Sequence, residues 1–168
     1  MNLALPDHPT LFFKPSTCLG APNAPLVIPH LGTDGQADYE AELAIIIGRT
    51  AKNVKKEDAM GYVLSYACSN DVTARVHQFN GAQWGFGKGF DGFAPLAHCV
   101  VSAASVTYPG DIELKTVLNG ETMQYSLTRD CGVSESSYDA GSWSCHHNGH
   151  AIWNWCEQGT ESIPQARR

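Results

Sequence analysis

Apolar and polar positions alternate or cluster with clear periods over the first 130 residues and lose that order afterwards. Leu11-Phe12-Phe13-Lys14 is a short apolar run that reads as a strand, and Val27-Ile28 reads as another. Glu40 to Gly48 reads as a strand whose second half, Ala44-Ile45-Ile46-Ile47, enters a core and is stopped by Gly48. Lys55 to Leu64 has helical spacing. Ala59, Met60, Val63 and Leu64 share one face, and Glu57 and Asp58 suit the positive end of a helix. Ser65 to Val72 reads as a strand carrying Asp71. Ile112 to Tyr125 reads as a hairpin turning at Asn119-Gly120, because both central positions of a type I′ turn need positive φ.

From about Cys131 neither strand nor helix period continues. The predicted organisation is therefore a domain over residues 1–130 and an aberrant, poorly ordered tail over 131–168. The tail holds Cys145-His146-His147-Asn148-Gly149-His150, which matches no zinc spacing. Trp153 and Trp155 are expected to be more exposed than Trp84.

Composition narrows the class. With 168 residues and 43% hydrophobic, the chain can bury one real core. A net charge of -6 gives no reason to expect nucleic acid. No apolar run reaches membrane-spanning length. Met1 to Asp7 lacks the basic start and apolar centre of a signal peptide, so an intracellular protein, cytoplasmic or mitochondrial, is expected. The six cysteines form no Cys-x-x-Cys pair and read as scattered thiols.

The chemistry gathers between Asp38 and Phe93. Glu40 and Glu42 are two residues apart, so a strand would point both to one face. They are either metal ligands or the solvent face of an edge strand. Their position at the entry to a buried run favours ligands, since a buried carboxylate needs a compensating charge. Asp71 is either a turn or capping residue or the third oxygen ligand. Three carboxylates suit Mg²⁺, or Mn²⁺ or Ca²⁺, with positions left for water and substrate oxygens. Lys88 lies among glycines in Gly85-Phe86-Gly87-Lys88-Gly89, where a backbone can approach a ligand closely. The spacing is not that of a phosphate loop. Arg75 and Gln78 follow Asp71 and are either ordinary surface residues or holders of a substrate carboxylate, Arg75 through a two-pronged contact.

Four segments carry a family resemblance. They are Asp38-Tyr39-Glu40-Ala41-Glu42-Leu43, Asn70-Asp71-Val72-Thr73-Ala74-Arg75, Gln83 to Leu96, and Val117-Leu118-Asn119-Gly120-Glu121. In this order and spacing, the chain from about Leu11 to Thr128 resembles the catalytic domain of the fumarylacetoacetate hydrolase family. The resemblance implies an α+β, mostly β fold, a mixed β-roll that is incomplete here. It implies a metal-dependent, often dimeric enzyme that cleaves or decarboxylates small 2-oxo or 1,3-dicarbonyl acids such as acylpyruvates and oxaloacetate. Glu40, Glu42 and Asp71 match the family's metal ligands, Lys88 its active-site lysine, and Arg75 and Gln78 positions near the substrate.

Three departures follow from the same resemblance. Val76 stands where many members have aspartate. No obvious counterpart of the upstream lid histidine precedes Leu11. No Thr-Gly-Thr-Pro-x-Gly-x-Gly motif occurs near the end, so this chain is expected to turn over slowly compared with a complete member. Read one nucleotide later, codons for Asn148 to Cys156 permit Thr-Gly-Thr-Pro-Ser-Gly-Ile-Gly-Val, and a frameshifted or misjoined tail is expected. Two other function classes stay open: a non-catalytic remnant that binds metal or a partner subunit, and an isomerase or hydratase on the same fold.

Overall fold

The computed structural model of the chain describes residues 12–33 and 35–128. The expectations for the tail, its tryptophans, histidines and Cys131, Cys145 and Cys156 included, lie outside the described residues.

The long strand expected at Glu40 forms as β3, Ala41–Ile47, after the two-residue strands β1 at Leu19–Gly20 and β2 at Ala37–Asp38. β4 spans Val63–Asn70 and β5 is Thr73–Ala74. Two short helices follow, α1 at Arg75–Phe79 and α2 at Gly85–Lys88. β6 spans Ala94–Ser102, and β7 at Glu113–Leu118 and β8 at Glu121–Leu127 end the described chain. The fold is mostly β with few helices, and its main sheet has the order β1-β6-β4-β3. The sheet is mixed: β1 runs parallel to β6, whereas β6–β4 and β4–β3 are antiparallel.

Leu43 and Ile45 of β3 pack with Tyr66 of β4 and Leu114 of β7 into one core cluster, bordered by Ile47, Val63, Val106 and Ile112. A second cluster, Val72, Ala74 and Phe93, lies under the loops next to β5. Strand alternation puts Glu42 on the face opposite Leu43 and Ile45. The β7–β8 hairpin turns at Asn119 (φ 53°) and Gly120 (φ 87°), the positive pair that a type I′ turn needs.

Three expected elements differ. Phe12 to Pro15 is extended but pairs in no sheet, and Leu11 is outside the described residues. Pro15 gives the segment no N–H for a ladder, and a 3₁₀ turn begins at Ser16. Val27-Ile28 is not a strand either. Prolines at 25 and 29 flank it, and Val27 is exposed. The helix expected over Lys55 to Leu64 is a 3₁₀ helix at Lys56–Tyr62, and Val63 and Leu64 already belong to β4. Its supposed apolar face is not a core face, because Met60 and Leu64 are exposed and only Ala59 and Val63 are half-buried. β-branched Val63 goes to the strand, where its side chain fits better. No helix among the described residues is long and apolar enough to cross a membrane.

Candidate active site

The two ends of the antiparallel β3–β4 pair set the site. The pairing continues past Ala41, because Asp71 N–H donates to the Glu40 carbonyl at 2.9 Å. Asn70 Oδ1 accepts from Glu40 N–H at 2.9 Å. Glu40 and Asp71 are thereby fixed side by side at the mouth of the sheet. Val72 N–H then donates to the Phe93 carbonyl at 3.0 Å, which ties this junction to the chain entering β6.

Lys88 reaches the junction from the end of α2. It is 1% exposed, and its ammonium donates to three oxygens: Asp71 Oδ2 at 2.6 Å, Thr73 Oγ1 at 2.7 Å and Glu40 Oε2 at 2.9 Å. The Phe12 ring covers it, with the ammonium 5.0 Å from the ring centroid. A buried ammonium is tolerated because every donor has an acceptor and two acceptors are charged. Thr73 completes the arrangement by donating to the Asp71 carbonyl at 3.0 Å.

Gly87 is what lets α2 come this close. A Cβ built there would stand 2.8 Å from Gln78 N and 2.9 Å from the Ala74 carbonyl, both backbone atoms. Gly87→Ala should therefore push α2 off α1 and lower stability by about 1–3 kcal/mol, measured by urea unfolding. An unchanged midpoint would show that the approach is not tight. Aromatic contacts hold the same helices from outside. His77 of α1 meets Phe86 of α2 edge-on at 4.7 Å.

Arg75 lies against the other flank of Glu40. Its Nε donates to Asp38 Oδ2 at 2.8 Å, Nη2 forms an ion pair with the same oxygen at 2.8 Å, and Nη1 donates to Glu40 Oε1 and, at 3.0 Å, to Gln78 Oε1. Burial works against its charge, yet Glu40 and Asp38 outweigh that and hold the guanidinium pKa above its ordinary value. Arg75 and Gln78 thus face each other and the carboxylates, where the sequence reading had them hold a substrate carboxylate.

Lys14, Asp38 and Thr73 are functional candidates that the sequence reading did not single out. Lys14 donates to Asp71 Oδ1, to the Phe93 carbonyl at 2.9 Å and to the Val72 carbonyl at 3.4 Å. Burial lowers its pKa from the ordinary lysine value, and the Asp71 carboxylate opposes that shift. The available signal was one lysine inside the apolar run Leu11-Phe12-Phe13, where a charge needs a partner.

Glu42 is 2% exposed, paired in register with buried Ser69 and on the Glu40 face by alternation. It lies close enough to Cys68 to help burial raise that thiol's pKa. Among the described residues, no three His, Cys, Asp or Glu side chains stand grouped for one ion. What stands between Glu40 and Asp71 is the Lys88 ammonium. Carboxylate oxygens are the donor type that a hard dication takes, but here those of Glu40 and Asp71 are given to Lys14, Lys88 and Arg75. Glu40 and Asp71 already hold one cation, the Lys88 ammonium, in common. The described cysteines, Cys18, Cys68 and Cys99, are free thiols.

Comparison with known proteins shows the family and the fold. The model of the fumarylacetoacetate (FAA) hydrolase C-terminal domain matches residues 1–135. A mitochondrial oxaloacetate tautomerase of Xenopus laevis is 38% identical over 129 residues, covering 76% of this chain and 40% of that protein. A caffeoylpyruvate hydrolase of Neonothopanus nambi is 47% identical over 92 residues, covering 53% of this chain and 32% of that one. The crystal structure of a 5-carboxymethyl-2-hydroxymuconate delta-isomerase from Mycobacterium smegmatis superposes with a TM-score of 0.72 at 31% identity, covering 92% of this chain and 58% of that chain. The chain spans about half the length of the curated relatives it matches. Its similarity therefore runs to hydrolases, tautomerases and isomerases of one fold. With that fold, and with Lys88 seated between Glu40 and Asp71, the chain belongs to the fumarylacetoacetate hydrolase family.

Proposed function

We propose that this chain carries the reaction centre of a Mg²⁺-dependent enzyme acting on a small 2-oxo acid of the acylpyruvate or oxaloacetate type. Glu40, Glu42 and Asp71 would hold the ion, with Mn²⁺ or Ca²⁺ as substitutes. When bound, the metal would polarise a substrate carbonyl. The observation that carries the reading is the buried Lys88 ammonium shared by Glu40 and Asp71.

Cleavage of an acylpyruvate needs water added at one carbonyl, after which the carbon–carbon bond breaks and an enolate leaves. Keto–enol conversion of oxaloacetate passes through an enolate too, by loss of a proton from the central carbon. Both routes put negative charge on an oxygen, and a fixed, dry ammonium stabilises that charge at little reorganisation cost. Lys88 is such a group. Arg75, held from behind by Asp38, keeps the Glu40 carboxylate turned toward Lys88. Phe12 covers the Lys88 ammonium and meets Trp84 with ring centroids 6.1 Å apart.

A tautomerase or isomerase outcome is the second reading. It is favoured by the names of the Xenopus relative and the Mycobacterium structure. One assay separates the possibilities. The pure chain is given oxaloacetate and an acylpyruvate, with Mg²⁺ and with a chelator. Loss of enol absorbance without cleavage products marks tautomerisation, whereas release of two acids marks hydrolysis. Metal-dependent turnover of at least one substrate is expected. A protein that binds Mg²⁺ and turns over neither would be a binding remnant, and the enzymatic reading would fall.

A further inference from the structure

Cys68 of β4 and Cys99 of β6 are exposed free thiols on adjacent strands, and the proposed reaction gives them no task. β4 and β6 pair from Ser65↔Ser102 through Ala67↔Val100, and again at Ser69↔Leu96. Between the last two pairs β4 has one residue, Cys68, and β6 has three, Ala97, His98 and Cys99. The ladder opens there into a bulge.

Alternation fixes the faces. Tyr66 and Val101 are partners, so their side chains share a face. Cys68 comes two residues after Tyr66 and Cys99 two before Val101, which puts both thiols on that face. Cys99 is also the neighbour of Val100, the partner of Ala67, so it is the residue that a continued ladder sets opposite Cys68. Opposite Cβ atoms in a ladder stand about 4.5–5.5 Å apart. A disulfide wants roughly 3.5–4.5 Å. A bulge, whose extra residues are unpaired, can make that adjustment without breaking ladder bonds.

The segment between the two cysteines carries Asp71, Thr73, Arg75, Gln78 and Lys88. We propose that Cys68 and Cys99 are a redox-sensitive pair whose disulfide latches both ends of the segment that carries the candidate active site. The inference needs no metal and does not depend on which reaction the site performs. The oxidant is a low-molecular-weight disulfide. One cysteine thiolate attacks it, breaks its S–S bond and releases one small thiol. The other cysteine thiolate then attacks the mixed disulfide and releases the second small thiol. Two protein thiols are oxidised, one small disulfide is reduced, and the two cysteine protons end on the released thiols.

The test is to equilibrate the full wild-type chain with reduced or oxidised glutathione, block free thiols, and map the peptides by mass spectrometry, with amide hydrogen exchange on both forms. A Cys68–Cys99 linked peptide should appear on oxidation, while buried Cys18 stays a thiol. The N–H groups of Asp71 and Val72, bonded to the Glu40 and Phe93 carbonyls, should exchange about tenfold more slowly in the oxidised form, since a cross-link disfavours opening of the segment. Cys68→Ser and Cys99→Ser, each a mild change at an exposed position, should both remove that slowing. Glutathione left on either cysteine, linkage of either to Cys131, Cys145 or Cys156, or two thiols that stay reduced would overturn the pairing. A Cys68–Cys99 disulfide that leaves the exchange rates unchanged would overturn the latch.

Discussion

Lys88→Met should remove metal-dependent turnover and destabilise the domain by roughly 3–5 kcal/mol, the usual cost of taking one partner from a buried ion pair. Methionine matches the stem of lysine in length, so little of the loss is a cavity. What remains is a charge imbalance. Glu40 Oε2, Asp71 Oδ2 and Thr73 Oγ1 all lose the donor they share. Turnover should fall at least about 100-fold, as when a donor that meets developing negative charge is removed. A double variant, Lys88→Met with Asp71→Asn, separates the two effects. The double variant should lose less stability than the sum of the two single variants, a coupling that a double-mutant cycle reads directly, and should regain no activity. If Lys88→Met melts with the wild type, the ammonium is not the counter-ion that the geometry makes it.

Much of this fold is legible in the chain. The spacing of Glu40 and Glu42 identified a strand entering a core, and β3 is that strand. Asn119-Gly120 announced its turn because only a few residues accept positive φ twice in a row. These are local rules, and local rules are legible. The 3₁₀ helix at Lys56–Tyr62 was read as an α-helix because Ala59, Met60, Val63 and Leu64 have helical spacing. The strand that follows claimed Val63 and Leu64, and pairing with β3 outweighed the local period. Lys14 was missed for a related reason. Its partners are Asp71, 57 positions away, and the carbonyls of Val72 and Phe93. Backbone acceptors leave no trace in a sequence. Asp38 stood in plain view beside Glu40, but its task of holding Arg75 appears only when α1 turns that side chain back over β2.

Asp71→Asn should weaken Mg²⁺ binding by more than about 100-fold, since changes one shell further out already cost roughly 10–100-fold. Asparagine keeps the size and one oxygen of aspartate and removes only the charge. Asp71 is 1% exposed and its two oxygens meet two ammoniums, so that charge is not replaced by water. Two effects should therefore appear together. The metal loses an anionic ligand, and Lys14 and Lys88 are left mutually repelling in a dry space, which should lower stability by roughly 3–5 kcal/mol. Glu42→Ala provides the contrast. It should abolish Mg²⁺ binding while leaving Asp71 the Lys14 and Lys88 contacts that its own two oxygens make. Calorimetry for the ion and urea unfolding for the fold read these apart. A folded Asp71→Asn protein with wild-type Mg²⁺ affinity would remove Asp71 from the ligand set, and the carboxylates at the end of β3 would have to hold the ion without it.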